Sequence, residues 1–349
     1  MRFYQIDPTQ DVRWSRFIQT HANASIFHTV GWLQALRKTY GYEPVVFTTS
    51  SARSELKNGL VFCRIKSWLT GRRLVSLPFS DHCEPLYESV EDLQFLIRYL
   101  KACLEQQGLK YLEIRPVDAN FGQTGASLSL SPAALYSLHI LDLRPELRDL
   151  FGALDRDSIQ RRIQRADRAA LVEKCGRSDD LLKDFYTLFV ITRARHGVPP
   201  VPISWFHNLI DGVGESVELR LAYTNGRAIA GILTLQFRDR LYYKYGCSDT
   251  RFKKLGATPW LFWRAITQAK SNGITKFDMG RTEHDNPGLL RFKNHWVPRP
   301  ERLTYWKFPN EPSFQAVVGW KSRATKRALA FMPLVLKMAV GKIAYRHVG

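Results

Sequence analysis

One unit occurs twice in this chain: a helix closed by glycine, a short strand, then an arginine. In the first copy Leu93, Leu96, Ile97, Leu100 and Leu104 recur at helical spacing across 91–107, Gly108 stops the helix, and a strand over 110–115 ends on Arg115. In the second, a helix over 259–272 stops at Gly273, and the strand 275–279 runs through Gly280 into Arg281. Further strands are expected over 2–6, 43–49, 59–65, 73–77, 218–224, 228–237 and 240–247, and further helices over 11–20, 26–36, 155–174 and 181–195. Strands alternating with helices, in a pattern met twice, predict an α/β chain of two related units, each a sheet flanked by helices. At 349 residues the chain is comfortable for two units. The segment 117–134, with Gly122, Gly125, Ser127, Ser129, Ser131 and Pro132, reads as the connection. The expected division is therefore 1–134, 135–312 and a tail, 313–349.

Charge narrows the partners. A formal net charge of +19 favours polyanions: nucleic acid, phosphorylated carriers or an anionic membrane surface. Cys63, Cys83, Cys103, Cys175 and Cys247 are scattered and odd in number, with no metal spacing. They predict reduced thiols in a cytoplasmic protein and no metal site. The first residues carry no signal-peptide core, and no apolar run reaches the ~20 residues of a membrane span. A serine-hydrolase elbow, Gly-x-Ser-x-Gly, is absent.

The densest polar chemistry lies in 277–296, FDMGRTEHDNPGLLRFKNHW, between a strand end and an aromatic anchor. Its strand, glycine turn, variable acidic segment and Gly288-Leu289-Leu290-Arg291-Phe292-Lys293 resemble the C-terminal signature of the Fem-type aminoacyltransferases, which build peptidoglycan interpeptide bridges. More broadly it resembles the FemAB-like branch of the GNAT acyltransferases. The resemblance extends over nearly 1–310 and implies two tandem GNAT-like domains, with mixed central sheets flanked by helices, followed by a basic helical C-terminal tail. It implies transfer of an acyl or aminoacyl group, from acyl-CoA or aminoacyl-tRNA, to an amine or hydroxyl of a cell-envelope glycan or peptide precursor. No tightly bound cofactor is expected.

Acyl transfer requires deprotonation of the acceptor, stabilisation of an oxyanion and a held donor. Lys293, which matches the family's catalytic lysine, is the candidate for the oxyanion; the plain alternative is a surface lysine. Asp81, in the bent segment 78–86, is the candidate base, with His82 and Asp118 as other choices. In 242–248, alternation sends Tyr243 and Tyr245 to one face and Tyr242 and Lys244 to the other. The family has a similar Tyr-x-Tyr that contacts the acceptor, and core packing is the competing reading. Trp205, in the family-like segment 194–206, and Arg281 are assigned to substrate binding. Arg37 and Lys38 join them, because some members carry a substrate-phosphate lysine on the second helix. The loop 251–259 resembles the GNAT pyrophosphate loop, so Lys253, Lys254, Gly256 and Ala257 are the donor-binding candidates, at a helix N-terminus suited to anions. Arg161 and Arg165, from the five arginines of 156–168, are added as phosphate contacts, against the alternative of a solvated helix face.

The tail carries Lys321, Arg323, Lys326, Arg327, Lys337, Lys342 and Arg346, with no acid after Glu311. Pro333 and Lys337 interrupt its apolar residues. It suits either an anionic membrane surface, making the protein peripheral on the inner face of the cell membrane, or docking on the second domain. The leading function is thus acyl transfer; the alternative is a non-catalytic basic protein that binds nucleic acid or a membrane surface.

Overall fold

The computed structural model describes residues 2–309 and 334–348. The first half contains β1 (Tyr4–Ile6), α1 (Val12–Thr20), α2 (Val30–Tyr40), β2 (Glu43–Thr48), β3 (Leu60–Ser67), β4 (Gly71–Ser76), α3 (Val90–Gln107) and β5 (Leu112–Ile114). After α4 (Phe121–Ser127), strand β6 (Ser131–Asp142) runs across residues 134 and 135, where the sequence places the division of the chain. There follow α5 (Leu147–Ala153), α6 (Arg161–Arg168), β7 (Val172–Gly176), α7 (Asp179–Arg195), α8 (Ile203–Val213), β8 (Val217–Thr224), β9 (Arg227–Phe237) and β10 (Arg240–Ser248). The last elements are α9 (Ala257–Ser271), β11 (Lys276–Glu283), α10 (Pro287–Asn294), β12 (Glu301–Phe308) and α11 (Leu334–Val348).

The strands form a mixed α/β sheet of twelve, in the order β1-β2-β3-β4-β5-β12-β6-β11-β10-β9-β8-β7. Two neighbouring pairs are parallel, β4 with β5 and β10 with β11. Each is the pair flanking a helix of the repeated unit, α3 or α9. Helix α3 shows the local cause of its limits: Ser89 caps the Asp92 amide, Glu91 and Asp92 favour the first turn, and Gly108 takes a left-handed φ of 60°. Its leucine stripe is buried, as the spacing predicts.

Three apolar layers cover the sheet. On one face a single core joins α1, α2, α7 and α8 across both halves. On the other face, α3 and α4 cover the first half, and α5, α6 and α9 cover the second. Burial on both faces explains why β2 and β9 read as continuous apolar runs.

Some expected elements differ. The helix predicted over 155–174 is a π-helical turn at 156–160, then α6, then a reversal at Ala170 (φ 48°). The residues after that reversal form β7, which pairs with β8 at the sheet edge. The arginine-rich pattern had favoured a continuous helix, whereas Val172 to Gly176 gain a strand partner far off in sequence. The connection 117–134 contains α4 and the start of β6. The tail expectation falls mostly on residues outside those described. Where it is described, α11 is docked: the Tyr345 hydroxyl donates to the Pro199 carbonyl at 2.8 Å and accepts from Arg193 at 2.7 Å.

The halves also meet where α2 packs on α8. Gly31 faces Gly212 so closely that a Cβ on Gly31 would stand 2.1 Å from the Gly212 carbonyl oxygen. Backbone cannot yield as a flexible side chain does. Gly31→Ala should therefore lower unfolding free energy by about 1–3 kcal/mol, read as a lower denaturant midpoint at unchanged slope. An unaltered midpoint would show that this helix contact does not form.

Candidate active site

The residues of the site come from the middle of the sheet. β10 pairs with β11 only from Arg240 to Tyr242, although both strands continue, β10 to Ser248 and β11 to Glu283. Beyond Tyr242 the edge of β10 facing β11 has no strand partner among the described residues, so its backbone N–H and C=O groups can pair with a ligand. β10 is also bulged, its register against β9 shifting between Tyr243 and Tyr245.

That bulge overturns the expected alternation. An extra residue reverses which face the following side chains occupy. Tyr243 packs on Phe262 of α9, with ring centroids 4.6 Å apart. Tyr245 lies on the opposite face against Phe189 and Phe206, and accepts a hydrogen bond from Trp205 Nε1 at 2.9 Å. Trp205 is fully buried and supports Tyr245 through that bond. Lys244, between the two tyrosines, points at Asp81, with Nζ to Oδ2 at 2.7 Å. Its ammonium is ringed by Phe27, Trp32 and Tyr245 at 5.5–5.8 Å.

Asp81 lies on the loop after β4 and is held by its backbone as well: Tyr305 of β12 donates to the Asp81 carbonyl at 2.6 Å. Burial pushes the Asp81 carboxyl up, but Lys244, Arg281 and Lys293 outweigh burial and hold it below the usual carboxylate range. Arg115 and Arg281, the arginines that close the two repeated units, both stack on Tyr305, at 4.7 and 5.0 Å from its ring centre. Arg281 also lies 4.3 Å from the ring of Tyr136. Arg115 donates to the Leu77 and Ser80 carbonyls, fixing the loop that carries Asp81.

Gly280 makes this convergence possible. Its φ is +70°, and a Cβ there would lie 3.1 Å from the Asp81 carboxyl carbon. The turn is fixed by the buried Asp278, which accepts from the Gly280 amide at 2.8 Å and bonds His82 Nε2 at 2.8 Å. Lys293, on α10, is 2% exposed and so not a surface lysine. Its ammonium donates to the carbonyls of Gly280 at 2.9 Å and Arg281 at 3.0 Å, leaving one of three donors for another acceptor. Burial lowers its pKa to about 8, against the opposing pull of Asp81 and Asp278.

Beside this cluster is a cavity of about 500 Å³, lined by the open end of β10 (Tyr243, Gly246, Ser248), the start of α9 and Phe292 of α10. Of the donor-binding candidates, Lys253, Gly256 and Ala257 line it. Lys254 gives its carbonyl to Arg165, and Arg161 pairs with Asp157 on an exposed face, so these three are not among the lining residues. Arg162 and Arg195 line it instead. The arginine run signalled a basic wall but not which arginine faces inward, since helix phase after the π-turn decides that. Arg37 is bound to Asp7 at 2.7 Å and Thr9 at 2.7 Å on the N-terminal segment, and Lys38 is exposed at the end of α2; neither joins the cluster. Sequence reasoning missed Lys244, because unbroken alternation pointed it elsewhere, and Tyr305, because β12 was not expected. Among the described residues, no group of three or more His, Cys, Asp or Glu is placed to hold a metal ion.

The Asp81–Lys244 pair joins the two halves with side chains 18% and 7% exposed. Lys244→Met alone would leave a buried carboxylate without its partner and should cost about 3–5 kcal/mol. The double variant Asp81→Asn/Lys244→Met should cost less than the sum of the singles. Additive losses in that cycle would mean the two groups are not coupled.

Comparison with known proteins agrees with this geometry. Residues 155–294 match the acetyltransferase (GNAT) domain family. Among solved structures, FemX superposes with a TM-score of 0.67 at 15% identity, covering 88% of this chain and 97% of that one. L-PGS from Bacillus licheniformis gives 0.55 at 12% identity, covering 97% and 98%. A tandem GNAT protein from the clavulanic acid biosynthesis pathway gives 0.56 at 10%, covering 89% and 99%. No curated protein matches the chain in sequence. The non-catalytic alternative gives way to an enzyme. Residues 155–294 thus match the acetyltransferase (GNAT) domain family, and the chain as a whole shares its fold with FemX and the tandem GNAT protein.

Proposed function

We propose that the chain transfers an acyl or aminoacyl group from an acyl-CoA to an amine or hydroxyl of a cell-envelope glycan or peptide precursor. The observation that carries this reading is the parting of β10 from β11 beside the basic cavity at the start of α9. An extended, amide-bearing thioester arm matches the open β10 edge, because it can pair there as a strand would. Phosphates suit the first amides of α9 and the side chains of Lys253, Arg162 and Arg195. The envelope acceptor is favoured by the likeness of fold to FemX and L-PGS.

In the reaction, the acceptor's nitrogen or oxygen attacks the donor carbonyl carbon, the C–S bond breaks, and the proton lost by the acceptor passes to the departing thiolate, which leaves as the thiol. Lys293 is the group for the oxyanion: a buried ammonium with one donor unclaimed beside the open strand end. Asp81 stays ionised in its pair with Lys244 and orients the acceptor's N–H or O–H. Arg281 holds the acceptor's other polar groups over Tyr136 and Tyr305, while Tyr243 borders the donor. Aminoacyl-tRNA is the second donor reading, favoured by the +19 charge, which suits a polyanion. The enzyme would act in the cytoplasm, where both donors are made, peripheral to the inner face of the cell membrane.

Acyl-CoA at a hundredfold excess over its Kd should stabilise the protein by about 2.7 kcal/mol, read as a rise in Tm. Stabilisation by aminoacyl-tRNA alone, lost with added salt, would select the second donor. Lys293→Met should lower kcat by about 10²–10³-fold with the fold intact, and an unchanged kcat would remove the lysine from the mechanism. The ammonium is the working form, so activity of the natural enzyme should fall as pH rises through about 8. That limb should be missing from the residual activity of Lys293→Met.

A further inference from the structure

The inner side of α11 is fully engaged. Besides the Tyr345 contacts, its backbone at Tyr345 accepts the Tyr42 hydroxyl, and His347 Nδ1 meets Ser67 Oγ at 2.8 Å. The His347 carbonyl accepts from Arg73 at 2.7 Å and Thr70 at 3.1 Å. These bonds fix the helix against the β3–β4 hairpin. The outer side is different. Leu336 is 53% and Ile343 62% exposed; spaced seven residues apart, they share one stripe of the helix. At the hairpin turn Trp68 is 85% and Leu69 49% exposed. The Trp68 ring stands edge-on to His347, with centroids 5.5 Å apart, so turn and helix present one continuous surface. Large apolar side chains gathered at one place on a protein surface mark a contact to be made, whereas single ones do not.

We propose that Trp68, Leu69, Leu336 and Ile343 form the face by which this protein lies on an anionic lipid bilayer. The proposal rests on the peripheral placement given above and names the surface responsible. Its chemistry is that of an interfacial site: a tryptophan at a turn tip, an apolar helical stripe, and cations at the rim. Arg72 and Arg346 are both exposed beside it. From residue 312 onward the sequence has seven Lys or Arg and no Asp or Glu, so nothing in the segment repels phosphate headgroups. Among the described residues no helix is long and apolar enough to cross a membrane. A bilayer fits exposed apolar side chains flanked by Arg72 and Arg346, because anionic headgroups can pair with the cations while the apolar groups enter the interface.

Flotation with vesicles tests this, using the full chain. It should rise with vesicles of phosphatidylcholine mixed with phosphatidylglycerol, and much less with phosphatidylcholine alone. Trp68→Ser and Ile343→Ser should each weaken partitioning about tenfold, as expected for removing one large apolar group from the lipid contact. Both variants should keep their Tm and their transfer rate to a soluble amine acceptor. If they float as well as the natural chain, the surface is wrongly assigned although peripheral placement stands. A natural chain that stays with the lipid-free fraction overturns both. Sedimentation showing a dimer that Ile343→Ser dissociates would make the patch a contact between copies, and the bilayer proposal falls.

Discussion

The contact between Asp81 and Lys244 is the interaction on which the site depends. It joins a loop of the first half to the bulge of a strand in the second, inside protein, where isolated charges are costly. Burial alone would raise the carboxyl and lower the amine, each toward its neutral form. Lys244, with Arg281 and Lys293, outweighs burial at Asp81 and holds its carboxyl below the usual range, whereas burial still outweighs Asp81 at Lys244 and keeps its amine below the usual range. A buried pair of this kind is weak evidence for net stability. Its consequence is geometric: the loop can take only the position in which Asp81 reaches the bulge.

The bulge then accounts for the cavity. By turning Lys244 toward Asp81 it puts Tyr245 on the face opposite Tyr243, and past Tyr242 β10 no longer pairs with β11. The opening is maintained from the other side by the irregular register of β11 around Gly280. The same turn presents two carbonyls to Lys293, so the lysine is buried against β11 instead of standing in solvent. Cavity, buried lysine and ion pair thus gather where two strand irregularities face each other.

The two repeated units also find a common purpose here. Arg115 and Arg281 end equivalent helix–strand units and converge on the same ring, Tyr305, from strands on either side of β12. Arg115 is further neutralised by Glu113 at 2.7 Å, which Lys307 approaches at 3.1 Å. The first unit's arginine holds the loop of Asp81; the second unit's arginine stays beside the pair. One copy of the pattern has become scaffold for the other's site.

The sequence by itself determined the α/β class, the repeated unit, the helix limits at Gly108 and Gly273, and the glycine turn at Gly280. These are encoded locally, by periodicity, by glycine's tolerance of positive φ and by a short ordered motif. It also indicated a basic loop at a helix start, where Lys253, Gly256 and Ala257 now line the cavity. Tertiary structure decided the rest. Whether Val172 to Gly176 continue a helix or form a strand depends on β8, forty residues and more away in sequence. Which arginine lines the cavity, Arg162 and not Arg161, depends on the phase set by a π-turn. That Tyr243 and Tyr245 part company depends on one unpaired residue in β10, and register is a property of two strands together. No single strand's sequence carries it.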